Sequence, residues 1–567
     1  MRGTRRRSDR PESDRRRHVT QPESLEGRVV LSSVVPSYLA PWIPSDLPVV
    51  NPVTNQRELY SIASQNPNNP NSQLYSNQGK VVSGTDRAGN LWTITVHGPG
   101  KVIVTDTTPN DGVLMDNINT IQLVGTNPNT TYVTGEVRAS ASELTTGSIP
   151  FNELIATSGV RSIELNGFTL TNQVTPAVDT PTGIFLYGGV RVLSFNGIVA
   201  QLDTSVNTTP YQILIGSGSK PLKYAPSIYM NSIQDIVFNS AATTVPTTPV
   251  TSPTVQFIIN GSLQNFDITS ATQGPITAGY QFEFPVVGTT GRTAIQANGI
   301  NNLNVAGSAV NFTVSKSAVP FSSNGSGVHR IGTARFGGVS DAVGLNVSGT
   351  IHHLTFARGL GNPSGVYTAY TSTGQALPAT MYGYTQGSTG YPSAGLLGGL
   401  VTARHIHQLT VGPASTFTQT PQNPLFAQSA RGNGYPSYYA SPGYALSNAV
   451  IATSGSIDQV NINGSLQNSE IKTGFNYPSY VTGLEGTRAR SQIRRLQING
   501  SLVNSAVSAS FRPANFHYAR STGTAGPGSI TGNVTGTAYD TNGTTGLGNT
   551  GAGVFARHLR GRLPATL

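Results

Sequence analysis

The side chains of this 567-residue chain that could do chemistry are carboxylates and imidazoles, because it contains no cysteine. That excludes disulfide staples, thiolate metal ligands and a cysteine nucleophile together. Cleavage of a sugar polymer would need two facing carboxylates, or acidic Ca²⁺ ligands beside a basic residue. The acids of the patterned region are Glu164, Asp203, Asp235, Asp267, Glu283, Asp341, Asp458 and Glu470, with few others. Most of them fall at different phases of the pattern described below. Asp267 and Glu470 share a phase and read as outward, solvated groups.

His405 and His407 lie two apart on a predicted strand and so on one face; His352 and His353 are adjacent. A metal site would need a third ligand and a supporting shell. From sequence these read as surface or corner histidines, and no metal, cofactor or catalytic residue is expected. No Gly-x-Ser-x-Gly elbow, phosphate-binding loop or calcium nonapeptide occurs. The run Gly546-Leu547-Gly548-Asn549-Thr550-Gly551 fits the dinucleotide glycine pattern only formally, since it follows no strand and opens no helix.

What must position any such group is a short phrase used again and again. It reads Phe257-Ile-Ile-Asn-Gly-Ser-Leu, Val460-Asn-Ile-Asn-Gly-Ser-Leu and Leu496-Gln-Ile-Asn-Gly-Ser-Leu in its clearest copies. Aligned on their small central residue, related units centre on Gly125, Gly167, Gly197, Ser240, Gly261, Gly307, Gly349, Gly412, Gly464 and Gly500. Gly412 fits least well, its glycine coming one position early. Apolar residues at i and i+2 face one side of a strand. Asn-Gly then bends the chain, because glycine accepts positive φ and asparagine is the next most permissive residue. The pattern predicts an all-β fold: an irregular parallel β-solenoid, taken as right-handed, with long loop excursions. The 21 residues from Ser240 to Gly261 suggest one bare coil and are too few for a β-sandwich unit. Asparagines are expected to stack between coils, Asn260 with Asn463 and Asn499, and Asn265 with Asn468 and Asn504. The Asn-Gly-Ser triplets also match glycosylation sequons, which turn geometry explains without sugar.

Along the chain, 1–32 is an Arg-rich segment and 33–78 a Pro/Asn-rich linker expected to be disordered, with one short helix near 55–64. Residues 79–115 hold a predicted strand–turn–strand entry unit or cap, Leu91–Val96 and Lys101–Thr105 around Gly98-Pro-Gly. The repeat region is 116–512, and 513–567 is a Gly/Thr-rich last coil or tail. Two excursions are rich in tyrosine: Tyr367, Tyr370, Tyr382, Tyr384 and Tyr391, then Tyr435, Tyr438, Tyr439 and Tyr444. Tyrosine combines flat apolar area with a hydroxyl at small entropy loss, which suits sugars and protein partners. The alternative is that these rings cover the flank of the fold.

Only 11% of residues are charged, while glycine (64) and proline (36) are abundant. The net charge of +10 sits largely in the two ends and on no periodic face, so nucleic acid is not an expected partner. No apolar run is long enough for a transmembrane helix.

The head carries one resemblance. Leu25-Glu26-Gly27-Arg28-Val29-Val30-Leu31-Ser32, after its arginines, resembles the Leu-Glu-x-Arg-x-Leu-Leu-Ser/Ala element that opens many large extracellular proteins of planctomycete-type bacteria. Val30 stands where leucine is commoner. The resemblance implies that Leu25, Glu26, Arg28 and Leu31 belong to a sorting segment and that the protein is exported to the cell surface or beyond. The reading that follows is a non-enzymatic structural or adhesion-type protein that meets polysaccharide or surface proteins outside the cell. The alternatives are a β-helix lyase or glycoside hydrolase, and a carbohydrate-binding module using the tyrosine loops.

Overall fold

The computed structural model describes most of residues 74–106, 118–138, 148–171, 182–239, 254–269, 287–316, 327–361, 399–413, 444–474 and 491–509, with short strands at 49–63, 366–367, 380–381, 529–535 and 553–560. Among these residues every regular element is a strand. None of them forms a helix long and apolar enough to cross a membrane.

The strands join in parallel ladders. The first starts at Ile118–Val124 and continues through Ile149–Ala156, Gly183–Leu186, Tyr211–Ile215, Val255–Ile259, Thr293–Gln296 and Phe312–Ser315. It goes on through the first part of Val343–Phe356, then Gly399–Ala403, Ala449–Thr453, Glu470–Thr473, Ala506–Ala509 and Gly553–Phe555. The second runs from Tyr132–Arg138 through Val160–Thr171, Val190–Asp203, Ser227–Met230, Ser262–Ile268, Gly299–Val305 and Val328–Phe336. Its later members are the end of Val343–Phe356, His405–Val411, Ile457–Ile462 and Gln492–Asn499. A short third ladder links Ala309–Val310, Ser340–Asp341, Leu360, Tyr444–Ser447, Ser465–Gln467 and Leu502–Val503. From Ile118–Val124 to Ala506–Ala509 the chain visits the first and second ladders in strict alternation, so each circuit adds one strand to each.

The alternating aliphatics explain why. In the second ladder Ile300, Ile331, Ile351, Ile406, Ile457 and Ile493 come into one inward column, and every one is buried. Residues of both ladders belong to one continuous core. Each buried aliphatic of this size contributes about 1.5–3 kcal/mol against exposure. A chain of rings threads part of that core, Phe257–Phe266–Phe312–Phe336–Phe356, with successive centroids 5.0, 6.2, 6.1 and 5.1 Å apart.

Bare circuits of the expected size exist, but elsewhere than expected. Ile295 pairs with Val314, Ala334 with Leu354, and Ile451 with Ile471, each about one strand spacing of about 4.8 Å away after 19 or 20 residues. The interval from Ser240 to Gly261 is not one circuit: Ser232–Asn239 pairs with 197–203, whereas Val255–Ile259 lies in the first ladder. The ten units therefore do not share one phase. Those before Gly125 and Gly261 lie in the first ladder, those before Gly167, Gly197, Gly307, Gly412, Gly464 and Gly500 in the second. The unit before Gly349 starts in the first ladder and crosses to the second within one strand. Gly412 is a full member, since Leu409 and Val411 pair with Val460 and Ile462.

The glycines of the phrase do not all share one conformation. Gly125, Gly167, Gly261 and Gly464 do hold positive φ. Gly349 sits inside the unbroken strand Val343–Phe356, where a Cβ would lie 1.9 Å from the His329 carbonyl oxygen. There the close approach of the neighbouring backbone, where the strand crosses between ladders, excludes a side chain.

At the N-terminal end the two predicted strands exist as Leu91–His97 and Lys101–Asp106, but they do not form a hairpin. Leu91–His97 runs antiparallel to Tyr132–Arg138 and Lys101–Asp106 antiparallel to Ile118–Val124, so each covers the opening edge of a different ladder. The segment expected as a linker contributes strands, not a helix: Tyr60–Ala63 pairs with Leu74–Gly79, which pairs with Lys101–Asp106. In the last segment Ser529–Thr535 runs antiparallel to Gln492–Asn499.

Asparagine stacking holds in part. Asn499 Nδ2 donates to Asn463 Oδ1 at 2.9 Å. Asn265 accepts from Asn302 Nδ2 at 2.9 Å, while Asn468 and Asn504 lie outside the described residues. Asn260 sits in the first ladder's turn and not in the column of Asn463, because its unit has the other phase.

Candidate functional site

The strand His405–Val411 buries Ile406, Leu409 and Val411, which leaves His405 and His407 on the outward face. Ladder register then decides their company. Ile351, Ile406, Ile457 and Ile493 are stacked partners. One residue on in each strand stand His352, His407, Asp458 and Arg494, which therefore share one outward column on four consecutive circuits. Neighbouring strands lie about 4.8 Å apart, and the His352 and His407 rings stack with centroids 4.8 Å apart and planes at 29°.

Asp458 is the centre of the group. His407 Nδ1 lies 2.7 Å and His405 Nε2 3.1 Å from the same oxygen, Asp458 Oδ2. Arg494 Nε lies 3.4 Å from the other oxygen, Oδ1. Partial burial works against the carboxylate's charge. The hydrogen bonds from His407 and His405, with the charges of His405 and Arg494, outweigh it and hold Asp458 below the usual carboxylate range. His352 is held below the usual imidazole range, first by desolvation and then by His407, Arg330, His353 and His405. One ligand atom from each of His405, His407 and Asp458 can be chosen so that all lie within 4.8 Å of one another.

The third group that the histidine pair needs is thus supplied 51 to 53 residues further along the chain. Asp458 is visible in the sequence only as one of several scattered acids. The signal that could have found it is the aligned isoleucine before each group, Ile406-His407 against Ile457-Asp458.

Among the described residues the other acids are not gathered into a cluster. Glu164 is exposed. Asp267 is in the second ladder, accepting from Asn304 Nδ2 at 2.7 Å, while Glu470 is in the first, so the two do not share a phase. Asp341 lies in the third ladder. Asp203 ends the strand Val190–Asp203, and Glu283 lies outside the described residues. Glu470 and Lys472 are buried together, with Lys472 Nζ 2.5 Å from Glu470 Oε2. Glu153, which sequence reasoning passes over, is buried and accepts from Thr120 Oγ1 at 3.3 Å.

Asp235 is fully buried, paired in register with Ala200, and accepts hydrogen bonds from the Thr254 hydroxyl. Burial pushes its carboxyl up to about 7, against the opposing pull of Thr254 and Thr293. Between the ordinary carboxylate value and about 7 the folded protein holds a proton that the unfolded chain has released. Stability from this group is complete below that window and falls as pH rises through it, by about 4 kcal/mol in all. The gap in melting temperature between Asp235→Asn and the wild type, followed by circular dichroism, is expected to change in the variant's favour from pH 4 to pH 8. A constant gap would show that Asp235 keeps an ordinary carboxylate pKa.

Of the tyrosines, Tyr444 is no loop residue: it is half-buried in the third ladder, opposite Ser465. Tyr367 lies in a two-residue strand paired antiparallel with Thr380–Met381. Tyr370, Tyr382, Tyr384, Tyr391, Tyr435, Tyr438 and Tyr439 lie outside the described residues, as do Leu25, Glu26, Arg28 and Leu31 of the head.

Fold and site together define an all-β repeat protein of stacked parallel ladders with an outward histidine–aspartate column. No protein-family model matches the chain, and neither curated proteins nor solved structures give a match.

Proposed function

We propose that this chain is an exported, non-enzymatic structural or adhesion-type protein, a right-handed parallel β-solenoid that offers loop surfaces to polysaccharide or surface proteins outside the cell. The observation that carries this reading is the use of the acids. Asp235, Asp267, Glu153 and Glu470 are each engaged in contacts between or within circuits, which is what a rigid scaffold requires. The continuous core and paired ladders give such a scaffold stiffness along many circuits. Export is supported by the resemblance of the Leu25–Ser32 head to a sorting element.

Fractionation of the native cells with an antibody to the repeat region tests the reading. The protein is expected at the cell surface or in the medium. Recovery in the cytoplasm alone would overturn it, as would steady release of reducing ends from a panel of acidic and neutral polysaccharides by the purified full chain.

A further inference from the structure

We propose that His405, His407 and Asp458 form a binding site for a first-row divalent transition ion, Zn²⁺ in the first place, with coordination positions left open toward the outside. The proposal rests on three observations of placement. Two imidazoles alternate on one strand and a carboxylate follows on the next, so the backbone ladder itself holds the ligands. Their nitrogens converge on one oxygen, at 2.7 and 3.1 Å, and the three ligand atoms fit within 4.8 Å. Bonds of about 2.0–2.2 Å at a tetrahedral ion set neighbouring ligand atoms roughly 3.3–3.5 Å apart. Small side-chain rotations therefore suffice to open the hydrogen-bonded cluster around an ion: the proton on each contacting imidazole nitrogen moves to the other ring nitrogen or to solvent, and the freed lone pair binds the metal in place of the contact with Oδ2.

The surroundings fit a supported site. His352 stacks on His407 and fixes its ring plane. Arg494 lies beside Asp458 Oδ1, which leaves Oδ2 as the ligand atom. Outer contacts of this kind orient the ligands of metal sites. Two imidazoles and one carboxylate select zinc, copper or nickel over calcium and magnesium, which prefer all-oxygen sets. The absence of cysteine removes the strongest competing ligands from the chain.

The test uses the full chain, titrated with Zn²⁺ against a chromophoric chelator, with Ca²⁺ as the control ion. The wild type is expected to take up one equivalent that Ca²⁺ does not displace. Asp458→Asn and His405→Ala are each expected to weaken that equivalent at least tenfold, with far-UV circular dichroism unchanged. His353→Ala, on the neighbouring position but outside the ligand set, is expected to leave it within threefold. Co²⁺ added in place of Zn²⁺ should give visible d–d absorption that Asp458→Asn loses. Absence of a saturable equivalent in the wild type, or equal binding by all variants, would overturn the proposal whatever the fate of the export reading.

Discussion

Lys472→Met is expected to destabilise the protein by about 3–5 kcal/mol, because it leaves a carboxylate buried without its cation. Lys472 is fully buried and Glu470 is 2% exposed. The two alternate with Ile471 on the strand Glu470–Thr473, so they face away from the main core on the other side of the first ladder. That side is not solvent: Leu400, Val450 and Glu470 are successive partners in register, and all three are buried. An ion pair in such a place is costly to desolvate, and its attraction is recovered only while both partners are present. Glu470→Leu should therefore lose a similar amount, whereas Glu470→Leu with Lys472→Met should lose markedly less than the two single changes added together. Guanidinium unfolding of the four proteins measures this as a double-mutant cycle. Additive losses would show that each group is stabilised by contacts independent of the other.

Phe336→Ala is the second large effect, at about 3–5 kcal/mol. Phe336 is fully buried between Phe312 and Phe356, with centroids at 6.1 and 5.1 Å. Loss of the ring removes contacts to two successive circuits at once. The ladders fix strand spacing at about 4.8 Å, so the backbone cannot close over the cavity. Phe336→Leu keeps most of the volume and is expected to cost less than about 1.5 kcal/mol. Since each circuit touches chiefly its neighbours, hydrogen exchange should quicken in residues 293–356 of the alanine variant before it does so in the first circuits. Uniform quickening would mean that the array unfolds as a single unit.

One physical cause accounts for the features of this fold that local sequence does not specify. Alternation of apolar residues is local, so Phe257 and Ile259, Val460 and Ile462, and Leu496 and Ile498 were recognisable as inward pairs wherever their circuits lay. Phase between ladders is not local. The phrases before Gly261 and Gly464 are nearly identical in residues, yet one lies in the first ladder and the other in the second. Both ladders need the same inward aliphatic pair followed by a change of direction, so the same residues serve in either. Gly98-Pro-Gly is the turn of the predicted strand–turn–strand unit, with Gly98 and Gly100 at positive φ, but only the structure shows that it sends its two strands to different ladders. The buried acid Glu470 resembled a solvated one, because its burial comes from chain far away.

By itself, then, the sequence determined an all-β repeat protein, the inward facing of its paired aliphatics, and the placing of His405 and His407 on one face, since each follows from the two-residue period of a strand. The tertiary structure alone decided which side chains meet across circuits. Excursions of unequal length separate successive circuits, so no fixed spacing in the chain brings Asp458 to His407 or removes Asp267 from Glu470. Hydrogen-bonded register does so, aligning Ile406 with Ile457 and with them the histidine and the aspartate that follow.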